Sequence, residues 1–330
     1  MINPNLHVHK DLFDIEKLES KSTRDGYGKG VLEAAEANPN VVVLCADLME
    51  STRSHWFAEK FPERYIEIGV AEQNLATVAS GLATYGKIPF ITSYAAFSPG
   101  RNNEQIRTTI SLNNVPVKVC GMHAGVSVGP DGATHQQLED IALMRVQPNM
   151  TVIYPCDVEE ARKATIAAAE YNHPVYLRFA RSNTPIFTTA RTPFEIGKAN
   201  VLWDDEEPDV AIIASGPLTY KALVVAKELA PTIRTRVINL HTIKPLDKET
   251  VLAAASDCEA VVTVEEHQVM GGMGSAVAEF LATHAPVPVE FIGVHDQFGQ
   301  SGDPDELVEH YKMGVSHIKE AVKKVVSRKK

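Results

Sequence analysis

A glutamate placed where an apolar-alternating run gives way to a helical pattern is the first chemical signal in this sequence. Tyr65 to Ile68 alternate as a strand does, Gly69 breaks the run, and Leu75, Val78, Ala79 and Leu82 recur at helical spacing, which puts Glu72 in the first turn of a helix. A carboxylate there meets unpaired N–H groups and the positive dipole end, and that alone accounts for many such acids. Its position adds a second reading, because the junction from a parallel strand to a helix is where open α/β sheets hold ligands.

Other groups able to do chemistry stand at equivalent junctions. Asp47 and Ser51 follow the run Val41–Cys45, and Tyr94 and Phe97 follow Ile88–Thr92, with Arg101 and Arg107 beyond them at helical spacing. His123, Asp131 and His135 lie on a long glycine-rich loop after Val115–Cys120, and Arg181 follows Val175–Phe179. Together they offer a carboxylate, imidazoles that can move a proton near neutral pH, flat aromatic faces and a guanidinium for an anion. Each also has an ordinary role: Asp and Ser cap turns, aromatics three apart pack in cores, and loop histidines face water. The three titratable groups of the loop show neither tight histidine spacing nor a fourth ligand, which argues against a metal site. What favours a shared site is that all of them fall at carboxyl ends of strands in one sheet.

The elements that must position these groups alternate between strand and helix. Strand-like runs at Val41–Cys45, Tyr65–Ile68, Ile88–Thr92, Val115–Cys120, Thr151–Tyr154 and Val175–Phe179 are separated by helical stretches such as Val158–Tyr171. That is the pattern of a mostly parallel, doubly wound α/β sheet. Residues 186–208 lose the pattern and end in an acidic cluster before Pro208, as a linker would. A second α/β series follows, with strands at Val210–Ala214, Thr235–Leu240, Ala260–Val264 and Val287–Ile292 and a last helix from about Val315. The expected division is a tail over 1–22, one domain over 23–185, the linker, and a smaller domain over 209–330.

Composition narrows the function classes. With 330 residues, two domains can each bury a core. A formal net charge of -10 argues against nucleic acid or an anionic membrane as partner. The first twenty residues lack the apolar centre of a signal peptide, and no apolar run is long enough to span a bilayer. Cys45, Cys120, Cys156 and Cys258 lie far apart, as buried free thiols of a cytoplasmic protein would. Glycines 271, 272 and 274 could form a phosphate loop but suit a strand-to-helix turn better.

At this point a family resemblance stands out. Gly69-Val70-Ala71-Glu72-Gln73-Asn74, Asp131-Gly132-Ala133-Thr134-His135-Gln136 and Arg145-Val146-Gln147-Pro148-Asn149-Met150 resemble transketolases. Val264-Glu265-Glu266-His267, Gly271-Gly272-Met273-Gly274 and the stretch from Gly293 to Gly302 resemble the C-terminal domain of that family. From about Thr23 onward the resemblance covers a pyrimidine-binding domain followed by a C-terminal domain. Full-length transketolases add an N-terminal domain that grips the diphosphate of thiamine diphosphate through a divalent metal, on a Gly-Asp-Gly motif absent here. The resemblance thus implies the C-terminal subunit of a split transketolase. A separate N-terminal, diphosphate-binding subunit would hold most of the Mg2+ or Ca2+ coordination, in an α2β2 heterotetramer.

Residue roles follow from the resemblance. Glu72 matches the glutamate that hydrogen-bonds the cofactor's aminopyrimidine and favours its imino tautomer, through which the thiazolium loses its proton to give the carbanion that attacks a ketose. Tyr94 and Phe97 match the aromatics packed on the pyrimidine, and Asp47 a cofactor-contacting acid. Arg24, Ser51, His123 and Arg181 match the sugar-phosphate clamp, Asp131 an acid that reads a hydroxyl, and His135 a histidine that holds the donor's hydroxyl or shuttles its proton. The expected reaction is transfer of a two-carbon ketol unit from a ketose phosphate to an aldose phosphate. The alternatives are a deoxyxylulose phosphate synthase-like enzyme, a transketolase-like enzyme for an unusual ketose phosphate, a 2-oxo-acid dehydrogenase beta subunit, or a non-catalytic interaction subunit. The dehydrogenase subunits carry a His-Ser-Gln segment that is missing here, and retention of Glu72, His123, Asp131 and His135 together argues against a chain without chemistry.

Overall fold

Two α/β sheets and a two-stranded antiparallel ribbon, β1 with β8, form the computed structural model, which describes residues 1–329. In chain order the first half supplies β1 (Ser20–Ser22), β2 (Val41–Cys45), β3 (Tyr65–Glu67), β4 (Ile88–Tyr94), β5 (Lys118–Met122), β6 (Thr151–Ile153), β7 (Val175–Arg178) and β8 (Asn183–Pro185). The second half supplies β9 (Asn200–Asp204), β10 (Val210–Ala214), β11 (Thr235–Asn239), β12 (Thr242–Lys244), β13 (Val261–Gln268) and β14 (Val289–Val294). The first sheet runs β12-β6-β7-β5-β4-β2-β3 and the second β14-β13-β10-β11-β9. All neighbours are parallel except at the β12 and β9 edges. β2, β5, β6, β7 and β10 are buried along their whole length, which is why β2 and β10 read as continuous apolar runs rather than alternating ones.

Helices cover both faces of the first sheet, so its core is split. Leu75, Ile91 and Val119 pack on one side, and Tyr27, Phe90, Ala161 and Leu177 on the other. The helices Thr23–Ala37 and Val158–Glu170 cross closely because Gly26 and Gly30 present no side chain: a Cβ at Gly26 would lie 2.2 Å from the Val158 carbonyl. That contact seats Arg24 at the start of its helix. Four free, buried cysteines complete these cores.

Three features depart from the sequence reading. The segment expected as a linker contains β9, which pairs antiparallel with β11 in the second sheet. The tail over 1–22, expected to stand outside the domains, is anchored: the Asn3 N–H donates to the Leu202 carbonyl, and Leu6 and Leu12 are buried against the second domain. Most consequential, β12 belongs by sequence to the second half but pairs with β6 at the edge of the first sheet. One apolar cluster accordingly runs from Ile91 and Val152 through Ile243 into Ile213 and Val277. Among the described residues, no helix is long and apolar enough to cross a membrane.

A buried ion pair stands at the same junction. Arg178, at the end of β7, donates from Nε to Asp140 Oδ2 at 2.7 Å and from Nη2 to the Glu266 carbonyl at 3.0 Å. Both side chains are fully buried. Burial raises the Asp140 carboxyl, but the charge and hydrogen bonds of Arg178 outweigh it and hold the group below its ordinary range.

Candidate active site

Register places the ends of the strands on one rim. Cys45 pairs with Glu67 on one side and Thr92 on the other, Tyr94 with Met122, and Gly121 with Arg178, so the segments after β2, β3, β4, β5 and β7 open at the same edge.

Glu72 begins the helix Glu72–Thr84 and is 1 % exposed. Its Oε2 accepts from Arg101 Nη1 at 2.7 Å, while Oε1 has only a long contact from Ser93 Oγ at 3.4 Å. Asn102 Nδ2 donates to the Glu72 carbonyl at 2.9 Å. A cavity of ≈ 540 Å³ opens beside it, lined among others by Val70, Ala71, Asn74 and Arg101. The aromatics continue the site: the Arg101 guanidinium lies 4.8 Å from the Phe97 ring centroid, and Phe97 lies 5.9 Å from Tyr94 and 5.4 Å from His135.

Beyond the aromatics comes a cationic cluster. Tyr94 stacks on His123 at 3.8 Å, and its hydroxyl donates to Ser51 Oγ at 3.1 Å. Arg24 Nη1 donates to the Ser51 carbonyl at 2.8 Å and faces His123 Nε2 at 3.4 Å, while Nη2 reaches the Arg181 carbonyl at 3.3 Å. Arg181 donates to the Val128 carbonyl at 2.9 Å. A guanidinium only donates, so Nε2 of His123 accepts and the imidazole proton sits on Nδ1, a buried donor with no partner. Burial pushes His123 down to about 2, reinforced by Arg24 and Arg181. Arg24 is itself lowered to about 10, first by burial and then by the charge of Arg53.

The structure therefore links Glu72, through Arg101, to Phe97, Tyr94, His135, His123, Ser51, Arg24 and Arg181 in one chain of contacts. It leaves two expected members apart. Asp47 is exposed, with a left-handed φ of 57°, and only its backbone N–H is engaged, by Glu67 Oε1. Asp131 is exposed on its loop, and no contact ties its carboxylate to the cluster among the described residues. Conversely, sequence reasoning gave no role to Ser93 or Asn102 and noted Arg101 only for its spacing. The signal was available in the run Phe97-Ser98-Pro99-Gly100-Arg101-Asn102, where a turn after the aromatic redirects two polar residues toward Glu72.

Among the described residues, no group of three or more His, Cys, Asp or Glu side chains is arranged to hold a metal ion. The glycine turn at 271–274 is occupied from within, because the buried Glu265 carboxylate accepts the N–H groups of Met273 and Gly274 at 2.7 and 2.8 Å. Burial raises Glu265 to about 7 against those two donors. A protein acid sits where a phosphate would.

Residues 19–186 match the transketolase pyrimidine-binding domain and residues 197–318 the transketolase C-terminal domain. A putative transketolase C-terminal section from Methanocaldococcus jannaschii is 43% identical, over 88% of this chain and 92% of that protein. A 6-deoxy-6-sulfo-D-fructose transketolase subunit from a Clostridium species is 39% identical, over 95% of this chain and 97% of the relative. A solved structure described as a split gene transketolase, an inactive beta4 tetramer, has a TM-score of 0.87 and 44% identity, covering 94% of this chain and 99% of the other. The two domains, matched in this order over residues 19–186 and 197–318, place the chain in the transketolase family.

Proposed function

We propose that this chain is the C-terminal subunit of a two-chain transketolase, moving a two-carbon ketol unit from a ketose phosphate to an aldose phosphate. The observation that carries the reading is the unbroken path from a buried carboxylate with one open oxygen, past two aromatic faces, to the Arg24–His123–Arg181 cluster. One end suits a flat heterocycle and the other a phosphorylated sugar.

The residues present fit the aminopyrimidine of thiamine diphosphate. Glu72 Oε1 is available to a ring nitrogen, and Phe97 and Tyr94 offer faces to the ring. The cofactor, when bound, supplies the electron sink for carbon–carbon cleavage. This chain's own residues orient the ring through Glu72, keep water from its edge through the aromatics, and clamp the donor phosphate through Arg24 and Arg181. Neutral His123 offers its Nδ1–H to a sugar oxygen, and His135 is placed against both aromatics to hold or pass a hydroxyl proton. Asp131 would read a sugar hydroxyl and Asp47 contact the cofactor once the site is filled.

The partner is a diphosphate-binding N-terminal subunit carrying the Mg2+ or Ca2+, in an α2β2 heterotetramer of the cytoplasm that serves pentose phosphate metabolism. The two subunit-type relatives support a two-chain arrangement. A second reading, an unusual ketose phosphate as donor, draws on a relative named as an apulose-4-phosphate transketolase subunit. The test is transfer from xylulose 5-phosphate to ribose 5-phosphate with thiamine diphosphate and magnesium, using this chain alone and with a co-expressed Gly-Asp-Gly-bearing chain. Activity only in the mixture supports the proposal. Activity of the chain alone would overturn the two-chain part, and a complex that binds cofactor but makes no product would redirect the substrate assignment.

A further inference from the structure

Arg101 stands at the meeting point of the two groups assigned to the pyrimidine. Its Nη1 occupies Oε2 of Glu72 at 2.7 Å, its guanidinium lies over Phe97 at 4.8 Å, and its backbone N–H donates to the Phe97 carbonyl at 2.9 Å. The next residue, Asn102, is buried and bonds the Glu72 carbonyl at 2.9 Å. Two consecutive residues thus grip the glutamate by its side chain and by its main chain.

An ordinary surface ion pair does not describe this arrangement. Arg101 is 49% exposed, but Glu72 is 1% exposed and lies at the cavity wall, so the contact fixes a buried group from its solvent side. A carboxylate has two oxygens and can rotate. With Oε2 held by a charge-assisted bond and Ser93 Oγ 3.4 Å from Oε1, one rotamer is selected and one oxygen is left open. The same guanidinium steadies the Phe97 ring against which a heterocycle would lie.

We propose that Arg101 is a positioning residue for Glu72: by occupying Oε2 it presents Oε1 to the pyrimidine nitrogen, and through Phe97 it sets the ring face at the same time. The inference rests on the transketolase reading. It involves no group transfer by Arg101, which neither gives nor takes a proton.

The test uses the assembled two-chain enzyme carrying Arg101→Met, which keeps an apolar stem near Phe97 but has no donor, and Arg101→Lys, which restores one. Arg101→Met is expected to lower kcat about 100-fold, the order of loss that misplacing a catalytic group produces, with sugar KM changed less than about threefold. Calorimetry with thiamine diphosphate alone should show binding weakened about tenfold, and the near-ultraviolet circular dichroism of the bound aminopyrimidine should be lost. Arg101→Lys should recover the spectrum and bring kcat to within about tenfold of the parent. Unchanged kcat and spectrum in Arg101→Met, or a loss that lysine does not repair, would overturn the positioning role. A parent complex that takes up no thiamine diphosphate would remove the transketolase reading and this inference with it, so the two failures are distinct.

Discussion

Tyr94 lies face to face with His123, their ring centroids 3.8 Å apart and their planes 29° apart. With Arg24 3.4 Å from its Nε2, the imidazole has a π-face and a cation as neighbours and, among the described residues, no carboxylate that raises its proton affinity. Protonating it would add charge to a buried cationic cluster.

That arrangement has a pH signature. An unfolded histidine takes a proton as pH falls through about 6.5, whereas folded His123 stays neutral to about 2. Below pH 6.5 the unfolded chain therefore binds the extra proton, and stability declines by about 1.4 kcal/mol per pH unit from this group; above 6.5 both states are neutral and the effect vanishes. His123→Gln should remove this component. Urea denaturation of parent and variant between pH 7 and 4.5 checks it: the parent should lose more stability on acidification, and parallel curves would contradict the assignment.

Glu72→Ala should leave the fold intact and abolish activity of the assembled enzyme, a loss of at least about 100-fold. Circular dichroism and a stopped assay on the same preparation decide it. Near-normal turnover by a folded variant would remove Glu72 from the chemistry.

Arg181→Gln should raise KM for a phosphorylated donor about tenfold or more, and for an unphosphorylated ketose by much less, because only the former loses a charge-assisted bond. Equal changes for both donors would mean that Arg181 serves the Val128 loop, to which it also bonds, and not the phosphate.

Asp140→Asn tests the junction of the two domains. It leaves the buried Arg178 guanidinium without its counter-charge, at a cost of about 3 to 5 kcal/mol. The denaturation midpoint should fall accordingly while both domains still unfold together. A change below about 1 kcal/mol would show that the carbonyls of Gln137 and Glu266 suffice to hold Arg178.

The parts of this protein that could be read from sequence are those whose signal is local. The buried parallel strands announce themselves as apolar runs, and Glu72 and Arg181 are marked by standing where such runs end. β9 and β12 could not be read in this way. β12 has three residues and exists only through pairing with β6, some 90 positions earlier, while β9 is an edge strand whose apolar centre is bracketed by Asn200 and Asp204 and follows an irregular stretch. The anchored tail was illegible for a similar reason, because Leu6 and Leu12 are sparse apolar residues whose partner surface lies some 200 positions on. Arg101 was given no role because an exposed arginine four residues past an aromatic usually faces water. Only the fold shows that the chain turns back there and lays it on Glu72. Asp47 and Asp131 were marked by strand-end position and by resemblance alike, yet in this structure neither touches the cluster.

The loan of β12 to the first sheet bears on how such a protein can be recombined. A cut at the sequence boundary between the domains would strand β6 with a bare row of N–H and C=O groups, the kind of edge that recruits other chains. A hybrid that took its first domain from one parent and its second from another would inherit its seventh strand from the wrong one. A crossover placed after Lys244 keeps that sheet within a single lineage but divides the second, parting β10 from β13, so no single crossover between the domains leaves both sheets whole.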